Sequence, residues 1–200
     1  LDGALLMELF ATDQEFNQDF HKNILTGKLG LHGNILRQNN DSILNLNLDL
    51  KSTNINLPKP LMKPAGENLL GTLKLNINSS VTNPTTEWQL KLGELIQSSG
   101  QLSQQKLDKA TVVIGNAQPP ILTKGLHVAF DVHTIQLDQW INLINDFDKA
   151  NPNYSERFVN KNSNQATTNL PITISGKSSH LLFIDREFNN IQVDMKEDNR

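Results

Sequence analysis

Three residues capable of metal binding or proton transfer share one short predicted strand: His127, Asp131 and His133. All three have odd numbers, and side chains alternate across a strand with a period of two, so they lie on the same face. Neighbours on such a face are about 6.6 Å apart, a spacing at which imidazole and carboxylate groups can share a metal ion. The even-numbered residues of the strand are apolar and face a protein core or a ligand. We therefore expect the three polar side chains to be solvated, with no metal bound.

A second candidate site consists of Asp185 and Glu187, which flank Arg186 near the end of a predicted strand. A carbohydrate-active enzyme would use such a carboxylate pair as general acid and base. Three adjacent charges are more typical of a solvated surface, and the chain has few aromatic residues for sugar stacking. No nucleophile elbow, HExxH zinc motif, phosphate loop or calcium loop is present. The sequence predicts neither an enzyme nor a cofactor.

The composition excludes several classes of partner. A net charge of −3 and a pI near 5.9 give no electrostatic basis for binding nucleic acid, and no run of Lys and Arg predicts a membrane-surface patch. The chain has no cysteine, which excludes disulfides and thiolate chemistry. It has no apolar stretch of about 20 residues, and it begins at Leu1 rather than Met. We expect an interior piece of a longer protein, with any signal or anchor outside it.

The elements that position these residues are predicted to be strands with one apolar face. Residues 43–50, ILNLNLDL, alternate leucine with Asn or Asp, and the same alternation returns in later segments separated by turn-type stretches such as 97–100 (QSSG) and 116–120 (NAQPP). Short strands joined by turns predict an antiparallel sheet with one apolar and one wet face. The candidate residues of the apolar face are Leu44, Leu46, Leu48, Leu50, Leu73, Leu75, Ile77, Leu90, Leu92, Leu126, Val128, Phe130 and Val132.

One or two short amphipathic helices complete the predicted fold. Residues 134–147 place apolar side chains at helical spacing, which predicts a helix over 135–147 with Thr134 as its N-cap. A similar pattern in 1–10 predicts a short helix at the start. We divide the chain into a β segment over 1–150, an Asn-rich loop or linker over 151–169, and further strands of the same sheet over 170–200.

The alternation leaves two interpretations open. Burying each leucine is worth about 1.5–3 kcal/mol, so the apolar face needs a cover. That cover is either a second sheet, as in a β-sandwich structural or adhesion module, or an apolar ligand on an open sheet.

Two segments carry a family resemblance. INLPKPLMKPAGENL (55–69) resembles the hallmark segment of the YhdP branch of the AsmA-like envelope proteins of Gram-negative bacteria, in which an aliphatic strand runs into a Pro-rich turn. GLHVAFDVHTIQLDQWINLI (125–144) is similar to that family's strand followed by a Leu-Asp-x-Trp helix. The resemblance covers roughly residues 25–150.

The resemblance implies both a fold and a function. AsmA-like proteins are anchored in the inner membrane and extend through the periplasm as a taco-shaped β-sheet with an apolar concave groove. They are thought to conduct phospholipids between the inner and outer membranes. On this basis we expect the apolar-face residues above to line a path for phospholipid acyl chains. The family has no catalytic residues to carry over, and any contact with a membrane would be made outside this segment.

Overall fold

The computed structural model describes residues 23–80, 82–104, 106–150 and 170–196. The predicted helix at 1–10 and the loop at 151–169 lie outside these residues. The strands are β1 (Leu25–Gly27), β2 (Gly30–Gln38), β3 (Asp41–Asp49), β4 (Thr53–Ile55), β5 (Leu70–Asn78), β6 (Thr85–Leu92), β7 (Ile96–Ser103), β8 (Lys106–Gly115), β9 (Gly125–Gln136), β10 (Ile172–Phe183) and β11 (Arg186–Lys196). Helix α1 (Leu137–Ala150) follows β9.

Nine strands form one open sheet in the order β11-β10-β9-β8-β7-β6-β5-β3-β2, and β1 pairs with β4 in a small second sheet. This confirms the prediction of a mainly β fold built on an open sheet with a short helix. The sheet is mixed rather than antiparallel throughout as predicted, because β9 pairs in parallel with both β8 and β10, whereas the other neighbours are antiparallel. Parallel pairing requires a crossover connection, and the connection from β9 to β10 contains α1.

Two local predictions were wrong. Residues 97–100 (QSSG), expected as a turn, lie inside β7, and Thr134, expected as an N-cap, lies inside β9. The small residues of β7 make room for a neighbour: the Trp88 ring lies over Gly100, and Trp88 Nε1 donates to the Ser98 hydroxyl at 3.1 Å. Cross-strand packing therefore outweighs the turn preference of Ser and Gly.

A small structure covers one end of the nine-stranded sheet, and we call it the cap (residues 25–29 and 50–66). Its strands β1 and β4 pair with each other, and Ile55 exchanges two backbone hydrogen bonds with Lys63 across the Pro-rich turn. Pro58, Pro60 and Pro64 lie in this turn. Leu29, Leu50 and Ile55 of the cap cluster with Leu48 and Leu73 of the sheet, and all five are buried.

A buried lysine fastens the Pro-rich turn. Lys63 is 4% exposed, and its Nζ donates to the Thr53 carbonyl at 2.8 Å and to the Pro64 carbonyl at 3.0 Å. Within the described residues this ammonium has carbonyl partners and no carboxylate. Hydrogen bonds from a charged donor are stronger than neutral ones, so this side chain helps to fix the shape of the turn.

Helix α1 contacts both the sheet and the cap. It packs against β10, and Trp140 Nε1 donates to the Lys59 carbonyl in the Pro-rich turn at 2.9 Å. Ile141 and Ile144, from the predicted apolar stripe, are 40% and 56% exposed. The helix is thus tied to the cap through Trp140 while part of its apolar stripe faces solvent.

Candidate functional site: the apolar face of the sheet

The strand register brings the even-numbered apolar residues of β3 together with apolar residues of the other eight strands of the sheet. Directly paired residues on neighbouring strands point to the same face, so the register can be followed as rows across the sheet. One row contains Leu31, Leu48, Gly71, Leu92, Ile96, Ile114, Phe130, Gly176 and Val193. The next contains Gly33, Leu46, Leu73, Leu90, Ser98, Val112, Val128, Ile174 and Met195.

A third row contains Ile35, Leu44, Leu75, Trp88, Gly100, Ala110, Leu126 and Ile172. Together with Ile77, Leu102, Leu107, Val132 and Ile191, these rows form what we call the apolar face. Strands are about 4.8 Å apart, so eight steps across nine strands give a continuous apolar surface roughly 38 Å long. That length exceeds the thickness of a bilayer's hydrocarbon core, which is about 30 Å.

The cover over the apolar face is uneven. Under the cap, Leu48 and Leu73 are 5% and 7% exposed. Away from the cap, Ile77 and Ile172 are 36% and 37% exposed, and Ile35 on the edge strand is 72% exposed. Within the described residues the second sheet has three residues per strand and lies at one end only. It is far too small to bury the whole face as the second layer of a sandwich would.

Glycines make the apolar face flatter. At Gly33, Gly71, Gly100 and Gly176, an added Cβ would overlap the side chain of the large residue paired beside it, which is Leu46, Leu92, Trp88 or Phe130 respectively. Each large side chain therefore lies along the sheet and covers a glycine backbone. This arrangement makes the apolar face flatter than a row of upright leucines would be.

The opposite face is polar over the central strands, and it carries the buried residues Val113 and Ala129 on β8 and β9. Its central rows carry Asn45, Asn47, Thr72, Lys74, Gln89, Lys91, Gln97, Ser99 and Thr111. The contrast between the faces confirms the predicted two-sided pattern, and a one-residue slip in any strand would break it.

The structure gives the three candidate metal ligands of β9 separate partners. His127 Nε2 lies 2.9 Å from the Thr123 hydroxyl, Asp131 forms an ion pair with Lys177 at 3.2 Å, and the His133 ring contacts the His180 ring. No group of three or more potential ligands suited to a metal ion occurs among the residues that the structure describes.

The two candidate acid–base carboxylates have different surroundings. Asp185 lies in the turn between β10 and β11, and Glu187 is paired with His180 Nδ1. All three side chains of the 185–187 cluster belong to exposed residues.

Twelve of the thirteen predicted residues lie on the apolar face. Leu50 lies one residue beyond β3, where it is 5% exposed within the cap cluster. Residues of this face that are absent from the predicted list include Ile35, Trp88, Val112, Ile114, Ile172 and Ile174. In β10, Ile172 and Ile174 alternate with polar residues, so their shared face was visible in the sequence. The small residues of β7 interrupt the apolar alternation between β6 and β8.

Comparison with known proteins supplies the family. A model described as YhdP protein matches residues 6–200, which is nearly the whole chain. The chain belongs to the YhdP family. This places it among the AsmA-like envelope proteins of Gram-negative bacteria, as the two sequence motifs indicated. No curated protein and no solved structure gives a significant match.

The YhdP-family motifs can now be placed in the fold. The Pro-rich hallmark segment forms the turn of the cap, and the Leu-Asp-x-Trp helix is α1, whose Trp140 bonds to that turn. The two motifs, 81 residues apart at their contact, therefore meet over one end of the sheet. Among the described residues, no helix has the length and apolarity needed to cross a membrane.

Proposed function

We propose that this chain is a periplasmic section of an envelope protein that conducts phospholipids between the inner and outer membranes, with the apolar face as the path for their acyl chains. The observation that carries the proposal is the unbroken register of apolar residues across nine strands, left partly exposed beyond the cap. Membership of the YhdP family supports the same interpretation.

The energetics favour such a path. A phospholipid carries on the order of 30 methylene groups, each costing about 0.8 kcal/mol in water, so an aqueous gap between membranes is a high barrier to free diffusion. Contact with leucine, isoleucine, valine and phenylalanine side chains replaces that water along the surface. The headgroup remains solvated at the open side of the sheet.

Movement along the path requires weak and uniform contacts, because a deep local site would trap the lipid. The rows of the apolar face consist mainly of similar aliphatic residues. Glycines beneath the largest side chains let those side chains lie flat on the sheet. The role is a non-catalytic one that needs no cofactor. Of the groups considered for catalysis, His127, Asp131 and His133 lie on the polar face and Asp185 lies in the exposed turn between β10 and β11.

A charge placed on the open part of the apolar face should block lipid passage. Ile172→Asp adds a carboxylate to a residue that is 37% exposed at the start of β10, so the sheet should still form. The matched control is Thr173→Asp, which places the same carboxylate next along the strand on the opposite face.

Both variants are made in the full-length protein, and delivery of radiolabelled phospholipid to the outer membrane is measured in cells. We expect Ile172→Asp to reduce delivery strongly and Thr173→Asp to leave it unchanged, at equal protein levels. Normal delivery by a folded Ile172→Asp protein would overturn the proposal.

A further inference from the structure

The polar face of the sheet contains a trough that the proposed lipid path does not use. Its volume is about 630 Å³, and its lining comes from β3, β5, β6, β7 and β8 together with Pro119 from the β8–β9 connection. Five strands about 4.8 Å apart give it a length of roughly 19 Å. The trough is therefore long enough for a linear ligand rather than a single ion.

The lining combines hydrogen-bonding side chains with four aliphatic residues, Leu46, Leu73, Leu90 and Val113. The hydrogen-bonding side chains on the polar face are the amides Asn45, Asn47, Gln89 and Gln97, the hydroxyls Thr72, Ser99 and Thr111, and the ammonium groups Lys74 and Lys91. Ser99 and Thr111 bond to each other at 2.9 Å, whereas the four amides have no side-chain partner in the described part of the chain. Amides both donate and accept, which matches a ligand rich in hydroxyl groups.

The charged side chains that line the trough, Lys74 and Lys91, are both positive. Lys74 pairs with Gln89, and Lys91 is two residues further along β6 on the same face, so the two ammonium groups are diagonal neighbours about 7–8 Å apart at their Cα atoms. No carboxylate lines the trough, and neither lysine has an ion-pair partner among the described residues. In a chain with a net charge of −3, this local pair of positive charges is best matched by an anionic ligand.

We propose that the polar trough binds an anionic oligosaccharide, a linear chain of hydroxyl-rich units that carries carboxylate or phosphate groups. The two lysines bind the acidic groups through charge-assisted hydrogen bonds, and the amide rows bind the hydroxyls. The trough has no aromatic residue in its lining, so recognition depends on these polar contacts rather than on ring stacking. This site lies on the face opposite the lipid path, and its test is independent of lipid transport.

The experiment is calorimetric titration of the purified protein with tetragalacturonate, a carboxylated linear tetrasaccharide. Maltotetraose tests the need for charge, tetraglutamate tests the need for sugar hydroxyls, and inorganic phosphate tests whether a lone anion is enough. We expect saturable binding of tetragalacturonate that is at least about tenfold tighter than binding of the other three, equivalent to about 1.4 kcal/mol.

Two double variants test whether Lys74 and Lys91 bind the acidic groups. Lys74→Gln combined with Lys91→Gln should weaken tetragalacturonate binding by about tenfold or more, whereas Lys28→Gln combined with Lys106→Gln removes the same charge elsewhere and should leave it unchanged. All four lysines are exposed, so both double variants should fold, as circular dichroism would check. The proposal is overturned by absence of saturable binding, by equal binding of maltotetraose, tetraglutamate or phosphate, or by full binding to the trough variant.

Discussion

Leu73 and Ile77 lie on the same strand and the same face of the sheet, yet Leu73 is 7% exposed and Ile77 is 36% exposed. The difference comes from the cap, which packs Leu29, Leu50 and Ile55 against one end of the apolar face and does not cover Ile77. One end of the face is thus a protein core, whereas residues such as Ile35, Ile77 and Ile172 remain exposed. The same alternating sequence serves stability in one region and, in our proposal, lipid contact in the other.

The contrast between Leu73 and Ile77 predicts that truncating the buried side chain has the largest effect on stability. Leu73→Ala should lower the free energy of unfolding by about 2–5 kcal/mol, because it removes a buried side chain and leaves a cavity beneath the cap. Ile77→Ala should cost much less, since that side chain is already partly in water. Urea unfolding of the two variants measures both values, and equal losses would contradict the division of the face into a core and an open surface.

The buried lysine of the cap should give the next largest effect. Lys63→Met keeps the length of the side chain but leaves the Thr53 and Pro64 carbonyls without their ammonium donor, which should cost about 1.5–3 kcal/mol of stability. Lys59→Met is the control, because Lys59 is exposed in the same turn and contributes only its backbone carbonyl to the contact with α1. If both variants unfold at the same urea concentration as the unmodified protein, Lys63 does not hold the cap.

The glycine beneath Trp88 allows a test of the flattened surface. Gly100→Ala would place a methyl group against the Trp88 ring and near the Lys109 carbonyl, which should cost about 1–3 kcal/mol through displaced packing. The Trp88 emission should also shift to the red as the ring lifts towards water, which is measured in a Trp140→Phe background that leaves Trp88 as the single tryptophan. Unchanged emission and stability would show that the ring does not lie over this glycine.

The smallest effect is expected at the contact between helix and cap. Trp140→Phe retains an aromatic ring but loses the Nε1 donor to the Lys59 carbonyl, worth about 0.5–1.5 kcal/mol. Hydrogen exchange should become faster in α1 and in the Pro-rich turn together, while the sheet amides remain unchanged. Faster exchange in α1 alone would indicate that the helix and the cap are not coupled through this bond.

The sequence predicted the two-sided character of the sheet because alternation is a local property of each strand. Strands such as β3 and β9 carry it without interruption. It could not predict that β9 pairs in parallel with both of its neighbours, since parallel pairing depends on the path of a distant connection. It also placed a turn at residues 97–100, because the space that Ser98 and Gly100 provide for Trp88 exists only once β6 and β7 are paired.

The position of the cap is another long-range feature that the sequence pattern did not predict. The sequence treated Leu50 as one more residue of the open face, and it could not show that the chain leaves the main sheet after β3 while β4 joins the cap. Leu50 instead lies beyond the last ladder position of β3 and packs into the capped cluster. The division of the apolar face into a covered and an open region follows from the contact of the cap with the sheet, a long-range feature that no local pattern contains.

The most direct test of the lipid path is photo-cross-linking in cells with a photoreactive side chain introduced into the full-length protein. Single sites at Leu46 and Ile172 test the apolar face, and the adjacent sites Asn47 and Thr173 test the polar face in the same strands. With radiolabelled phospholipid, we expect capture at Ile172 and Leu46, stronger at the more exposed Ile172, and none at Asn47 or Thr173. Equal capture on both faces, or none at either apolar site in a folded protein, would contradict the lipid path.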